Sequence, residues 1–227
     1  MLDAVLLEWD GVLADTGGAR RDALLRALAD EGVPVTGAAY DECWHAFDLP
    51  DAVASLTAGL HDDPTLVELV MLRARRAFAE HLGRGVTLAP GAADLVAAAP
   101  YRVRLALVSR ASRMETDAFL TTSGLRDSFA VVIASDDSPP AASGRTRFDD
   151  AITHLSRLRP TPPERVAALV ATASAIRDAR TAGIRTLAVG APAHVALEAD
   201  AVVDTLVGLG VHDIARLVGA DQAARSA

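Results

Sequence analysis

Short apolar runs recur along this chain between stretches of helical periodicity, and their order predicts strands alternating with helices. Ala4 to Leu7 is the first run, and Gly11 with Asp15-Thr16 follows closely, which reads as a buried strand ending in a loop. From Gly17 to about Leu88 the pattern is helical. One helix is built on Ala23-Leu24-Leu25 and Ala27-Leu28 and closed at Glu31-Gly32, and a longer amphipathic helix runs over 64–82. No strand signal interrupts that stretch. Pro90-Gly91 then opens a short helix to Ala99, and buried strands are expected at 103–108, 130–134, 166–170 and 186–189, with a short sixth at 201–203. Helices are expected between and after them at 116–122, 148–158, 175–182 and 211–218. Such alternation predicts a doubly wound parallel α/β sheet of Rossmann-like form, whose sites lie at the carboxyl ends of its strands. The helical stretch 17–88 is then an insertion, giving a core of residues 1–16 and 89–227 and an α-helical cap domain of residues 17–88.

Composition narrows the chemistry. With 51% hydrophobic and 23% charged residues in 227, the chain can bury a sizeable core. Its formal charge of −8 repels phosphate backbones and anionic membrane surfaces, so neither nucleic acid nor a membrane is an expected partner. The chain contains no lysine, and all 22 basic residues are arginine, which excludes any mechanism that needs a lysine amine. The single cysteine, Cys43, cannot form an intramolecular disulfide. No stretch approaches the roughly 18 apolar residues of a membrane span, and a soluble cytoplasmic protein is expected.

The residues after the first strand carry the most specific signal. Leu7-Glu8-Trp9-Asp10-Gly11-Val12-Leu13-Ala14-Asp15-Thr16 resembles the opening motif of the haloacid dehalogenase (HAD) superfamily, Asp-x-Asp-Gly-x-(Leu/Thr)-x-Asp-(Ser/Thr). In that family the first Asp attacks phosphorus and the second serves as general acid and base. Glu8 occupies the nucleophile position here, and Asp10 matches the acid/base position. Leu105-Ala106-Leu107-Val108-Ser109 is similar to the second motif, whose terminal hydroxyl holds a phosphoryl oxygen. Val166 to Gly183 follows the hydrophobic pattern and spacing of the fourth, with Ala171-Thr172 in place of its acidic pair. The third motif is a lysine, which this chain lacks; Arg145 and Arg147 lie in the corresponding loop and either offers a cation. The closest resemblance is to the phosphoglycolate phosphatase and β-phosphoglucomutase branch.

The resemblance implies Glu8 and Asp10 as catalytic residues, Ser109 and Arg145 as phosphate-binding residues, and Mg²⁺ held by Glu8 and the carbonyl of Asp10. A single carboxylate makes that metal site weak at best. Ser109 equally suits a hydroxyl cap on the following helix. Trp44, His45 and Phe47 fall in the cap, and Cys43 reads as a small hydrophobe. Two readings follow from the altered positions. One is a catalytically impaired member that keeps the fold and acts as a binding or regulatory protein, taking a small phosphorylated molecule or a protein partner. The other is a Mg²⁺-dependent phosphohydrolase of small phosphorylated metabolites with Glu8 as nucleophile or base.

Overall fold

The computed structural model describes residues 1–40, 49–58, 64–137 and 145–219. The sequence readings of Cys43, Trp44, His45 and Phe47 fall outside the described residues. The chain divides into two compact units, Met1–Asp15 with Val86–Ala227, and Thr16–Gly85.

The first unit is built on six strands, β1 (Ala4–Glu8), β2 (Arg104–Val108), β3 (Val131–Ile133), β4 (Val166–Val170), β5 (Arg185–Val189) and β6 (Ala201–Val203). They form one sheet in the order β3-β2-β1-β4-β5-β6, and every neighbouring pair is parallel. β1 and β4 are buried at every residue, because a parallel sheet is covered on both faces and its central strands need apolar side chains on each. The period of two splits β1 between two layers. Ala4 and Leu6 pack with Ala106, Val108, Ala168 and Val170 in a core completed by Phe148, Ala151 and Leu155 of one helix and Ile176 and Ala179 of another. Val5 and Leu7 face the opposite side and are as completely buried.

The helices of this unit begin where their caps dictate. Those following the second unit are labelled α4 (Ala92–Ala98), α5 (Arg113–Ser123), α6 (Arg147–Leu158), α7 (Ala173–Thr181), α8 (Ala193–Ala196) and α9 (Val211–Leu217). Ser112 and Glu115 close a reciprocal capping box on α5, and Thr146 and Asp149 close one on α6. The box moves the start of α5 three residues ahead of the position that hydrophobic periodicity suggests.

The elements named in the second unit are helices, α1 (Gly17–Asp30), α2 (Leu49–Thr57) and α3 (Pro64–Gly83). Leu24, Ala27 and Leu28 of α1 pack with Val53 of α2 and with Val70 and Ala74 of α3. The buried Arg20 lays its guanidinium 4.0 Å from the ring centre of Phe78, so that the aromatic face offsets part of the cost of burying the charge. Helix α2 is not resolved as a separate element by the sequence pattern, because its nine residues lie within a continuous helical signal.

Candidate functional site

In a sheet of this order the chain leaves β1 toward β2 and β3 and later returns to the other flank of β1 as β4. The crevice outside the carboxyl ends of β1 and β4 is therefore the switch point at which open α/β sheets bind ligands. Glu8 is the last residue of β1 and is 4% exposed. Its two carboxylate oxygens reach across this crevice. Oε2 accepts the backbone N–H of Ala171 at 2.8 Å, and Oε1 accepts the hydroxyl of Thr172 at 2.9 Å. Thr172 is also the N-cap of α7, where its oxygen accepts the N–H of Ala175 at 3.3 Å. One hydroxyl thus caps a helix and donates its proton to a strand 164 residues away.

Burial raises the Glu8 carboxyl from its ordinary 4.5 to about 7, against the pull of the Ala171 N–H, the Thr172 hydroxyl and the Arg110 charge, with Asp10 adding slightly to the rise. Near neutral pH the group is therefore divided between carboxyl and carboxylate. A carboxyl in that state exchanges protons readily but is a poor nucleophile, since attack on phosphorus needs the anion with an oxygen presented to substrate.

On the other flank of β1, Glu8 is in register with Val108, and Ser109 follows directly. Ser109 is 1% exposed; its N–H donates to the Ile133 carbonyl at 2.8 Å and its hydroxyl oxygen accepts the N–H of Ala111 at 3.0 Å. The hydroxyl shapes the turn after β2, whereas the cap of the following helix belongs to Ser112. Glu8 and Ser109 line a cavity of about 10 Å³ together with Arg110, Arg147 and Asp178, which is space for about one water.

The two candidate cations separate. Arg147, the first residue of α6, lines the cavity beside Glu8. Arg145 instead binds the Asp150 carboxylate at 2.8 Å and the Thr153 hydroxyl at 3.2 Å, next to a shallow cavity of about 380 Å³ that Glu8 does not line. The signal that distinguishes them is the Thr146-x-x-Asp149 capping box. It starts the helix at Arg147, and so assigns that residue to the first turn facing the strand ends.

Asp10 is half-buried in a tight turn after β1. The turn is closed by Gly11 N–H on the Ala14 carbonyl at 3.0 Å and by Leu13 N–H on the Trp9 carbonyl at 3.0 Å. Gly11 is required twice over. Its φ is +82°, and a Cβ would lie 2.5 Å from the Cβ of Ala171. Trp9 turns away from Glu8 into the core and stacks on Phe119 with ring centres 4.4 Å apart.

These residues do not fit Mg²⁺. The ion takes oxygen ligands in near-octahedral array, with one or two carboxylates. Here Glu8 already spends both oxygens on protein donors, Thr172 offers a hydroxyl that is both capping and donating, and Ala171 contributes a methyl group. Among the described residues no three His, Cys, Asp or Glu side chains gather as a metal set. The acids after β3 are engaged elsewhere: Asp136 accepts the Arg113 N–H at 2.7 Å, while Asp137 pairs with the Arg113 guanidinium and accepts the Ala134 N–H at 2.7 Å.

The architecture of a parallel sheet with this strand order, carrying a carboxylate, a hydroxyl and a cation at adjacent strand ends, defines a HAD-type α/β fold. Solved structures agree. CbbY from Rhodobacter sphaeroides in complex with phosphate is 25% identical over 94% of this chain and 99% of its own, with a TM-score of 0.81. A second CbbY structure, a mutant in complex with xylulose-(1,5)-bisphosphate, matches over the same shares with a TM-score of 0.80. β-Phosphoglucomutase from Clostridium difficile, 15% identical, covers 98% of this chain and 100% of its own at a TM-score of 0.80. These likenesses support a fold of the haloacid dehalogenase superfamily, similar to that of its phosphoglycolate phosphatase- and β-phosphoglucomutase-like branch. No protein-family model matches the sequence, and no curated protein matches it significantly. Among the described residues no helix is long and apolar enough to cross a membrane.

Proposed function

We propose that this chain is a catalytically impaired HAD-fold protein that binds a small phosphorylated molecule and acts as a binding or regulatory protein. The observation that carries this reading is the state of Glu8. The carboxylate at the nucleophile position is buried, proton-sharing near neutral pH, and bonded through both oxygens to Ala171 and Thr172. An attacking carboxylate must present one oxygen in line with phosphorus about 3 to 3.5 Å away, and a misplacement of about 1 Å costs on the order of a hundredfold in rate. Glu8 would have to break the Thr172 bond and leave its pocket to do so.

The ligand class rests on what remains. Ser109 keeps a hydroxyl proton to donate, and Arg110 and Arg147 bring two positive charges to the same strand ends. The CbbY structures that hold phosphate and a sugar bisphosphate make a small phosphorylated metabolite the natural probe for this chain. Arg147 takes the cationic role in this reading, and Arg145, held by Asp150, does not.

The decisive experiment is a screen of small phosphorylated metabolites for both binding and phosphate release, with and without Mg²⁺. Saturable binding with turnover absent or at least a thousandfold below that of a competent relative supports the reading. Turnover at a relative's rate that disappears in Glu8→Gln overturns it and establishes Glu8 as nucleophile or base in a working phosphohydrolase.

A further inference from the structure

We infer that in this chain a hydrogen bond has taken the structural place of the catalytic metal: the Thr172 hydroxyl, donated to Glu8, joins β1 to the start of α7 without a cation. This deepens the reading above, on which it rests for the correspondence with the family's site. The argument is one of charge and donors. Two carboxylates facing each other across a strand gap repel unless a cation lies between them, so a paired-acid site is held together by its metal. With Thr at position 172 the second partner supplies a proton instead of a charge. The acceptor Glu8 and the donor Thr172 then satisfy each other directly at 2.9 Å. The longer Glu side chain belongs to the same exchange. Its additional methylene carries the carboxylate across the crevice to within 2.8 Å of the Ala171 N–H and within bonding reach of Thr172. At Ala171 a methyl group occupies the remaining acidic position and lies so near the turn that only glycine is accommodated at residue 11. These three departures from the family pattern, Glu8, Ala171 and Thr172, are therefore one coordinated replacement.

The test is the thermal midpoint of the whole chain in EDTA and in about 5 mM Mg²⁺, a concentration at which a site with a Kd a hundredfold lower would raise Tm by several degrees. Wild type is expected to melt at the same temperature in both. Thr172→Asp places an unpaired carboxylate against Glu8, and its Tm is expected to fall by on the order of 10 °C in EDTA and to recover at least half of that loss in Mg²⁺. Thr172→Asn, which carries no charge, is expected to lose stability without any recovery in Mg²⁺. A wild-type protein stabilised by Mg²⁺ as strongly as Thr172→Asp overturns the inference, as does a Thr172→Asp protein indifferent to the ion. If Thr172→Asp does not fold, calorimetric titration of wild type with Mg²⁺ decides, and a Kd in the micromolar range overturns the inference. Phosphate release measured in the same samples separates the two proposals. Turnover by wild type in EDTA sinks the impaired reading while leaving the metal-free link intact.

Discussion

The N-termini of α5 and α7 use the same device to different ends. At α5 the cap Ser112 donates its hydroxyl proton to Glu115 three residues on, at 2.7 Å, and the box closes on itself. At α7 the third helical residue is Ala175, which has no carboxylate to accept, so the proton of Thr172 goes to Glu8 on another strand. The α6 cap, Thr146 with Asp149 at 2.9 Å, follows the local form. A missing local acceptor thus frees a cap hydroxyl for a tertiary bond, and the helix start becomes part of the switch-point chemistry. The difference also separates the two flanks of β1. On the β4 flank the altered residues close on each other, whereas on the β2 flank Ser109, Arg110 and Arg147 still surround a small cavity.

This contrast is most severely tested by pH. Glu8 holds its proton more tightly in the folded protein, near 7, than in the unfolded chain, near 4.5, so the folded state binds the extra proton between those values. Stability attributable to Glu8 is full below about pH 4.5 and is lost as pH rises toward and through 7, by on the order of 3 kcal/mol in total. Denaturant midpoints measured from pH 5 to 8 should therefore decline in wild type, and Glu8→Gln should remove most of the slope. A Ser112→Ala variant should leave the slope in place. If Glu8→Gln and wild type share one profile, Glu8 is not the tertiary acceptor described above.

Next in size, Thr172→Val removes both the cap and the donor to Glu8. At pH 8, where Glu8 is charged, the expected loss is about 2 to 3 kcal/mol by chemical denaturation. At pH 5 it should shrink toward the roughly 1 kcal/mol of a lost cap, because a neutral Glu8 needs its partner less. A loss that does not change with pH would reduce Thr172 to an ordinary cap.

A smaller effect, about 1 kcal/mol, is expected for Thr146→Ala by chemical denaturation, since it removes a cap hydroxyl whose bonds stay within its own helix start. The smallest effect sharpens the assignment of the cation. Arg145→Gln breaks a half-exposed pair with Asp150 and should cost less than about 1 kcal/mol, with no change in affinity for inorganic phosphate. Arg147→Gln should weaken phosphate binding by about tenfold at low salt. Equal effects of the two substitutions on phosphate affinity would show that the cavity beside Glu8 does not mark the anion site.

Much of the architecture is legible in the order of residues alone. Apolar runs of four to six residues separated by helical periods determine a covered parallel sheet, because only strands buried on both faces use such runs. The element starts are legible where a local rule acts within one turn, as in Ser112-x-x-Glu115 and Thr146-x-x-Asp149. The glycine after Asp10 and the departures at Glu8, Ala171 and Thr172 are visible as a pattern, and so is the absence of lysine.

What that pattern could not decide is how the departures meet. Position 8 and position 172 are neighbours only because β4 returns to the far flank of β1, which brings the two strand ends within hydrogen-bond distance. Whether a longer carboxylate then reaches across, and whether a threonine proton points along or out of its own helix, depends on distances of a few tenths of an ångström and on Ala175 offering no competing acceptor. Burial, which moves Glu8 to near-neutral titration, is likewise a property of the packed strand ends. The different surroundings of Arg145 and Arg147 arise by the same means. Both lie in one short polar stretch, and the fold turned one toward Asp150 and the other toward the crevice, because the capped start of α6 assigns successive residues to different faces.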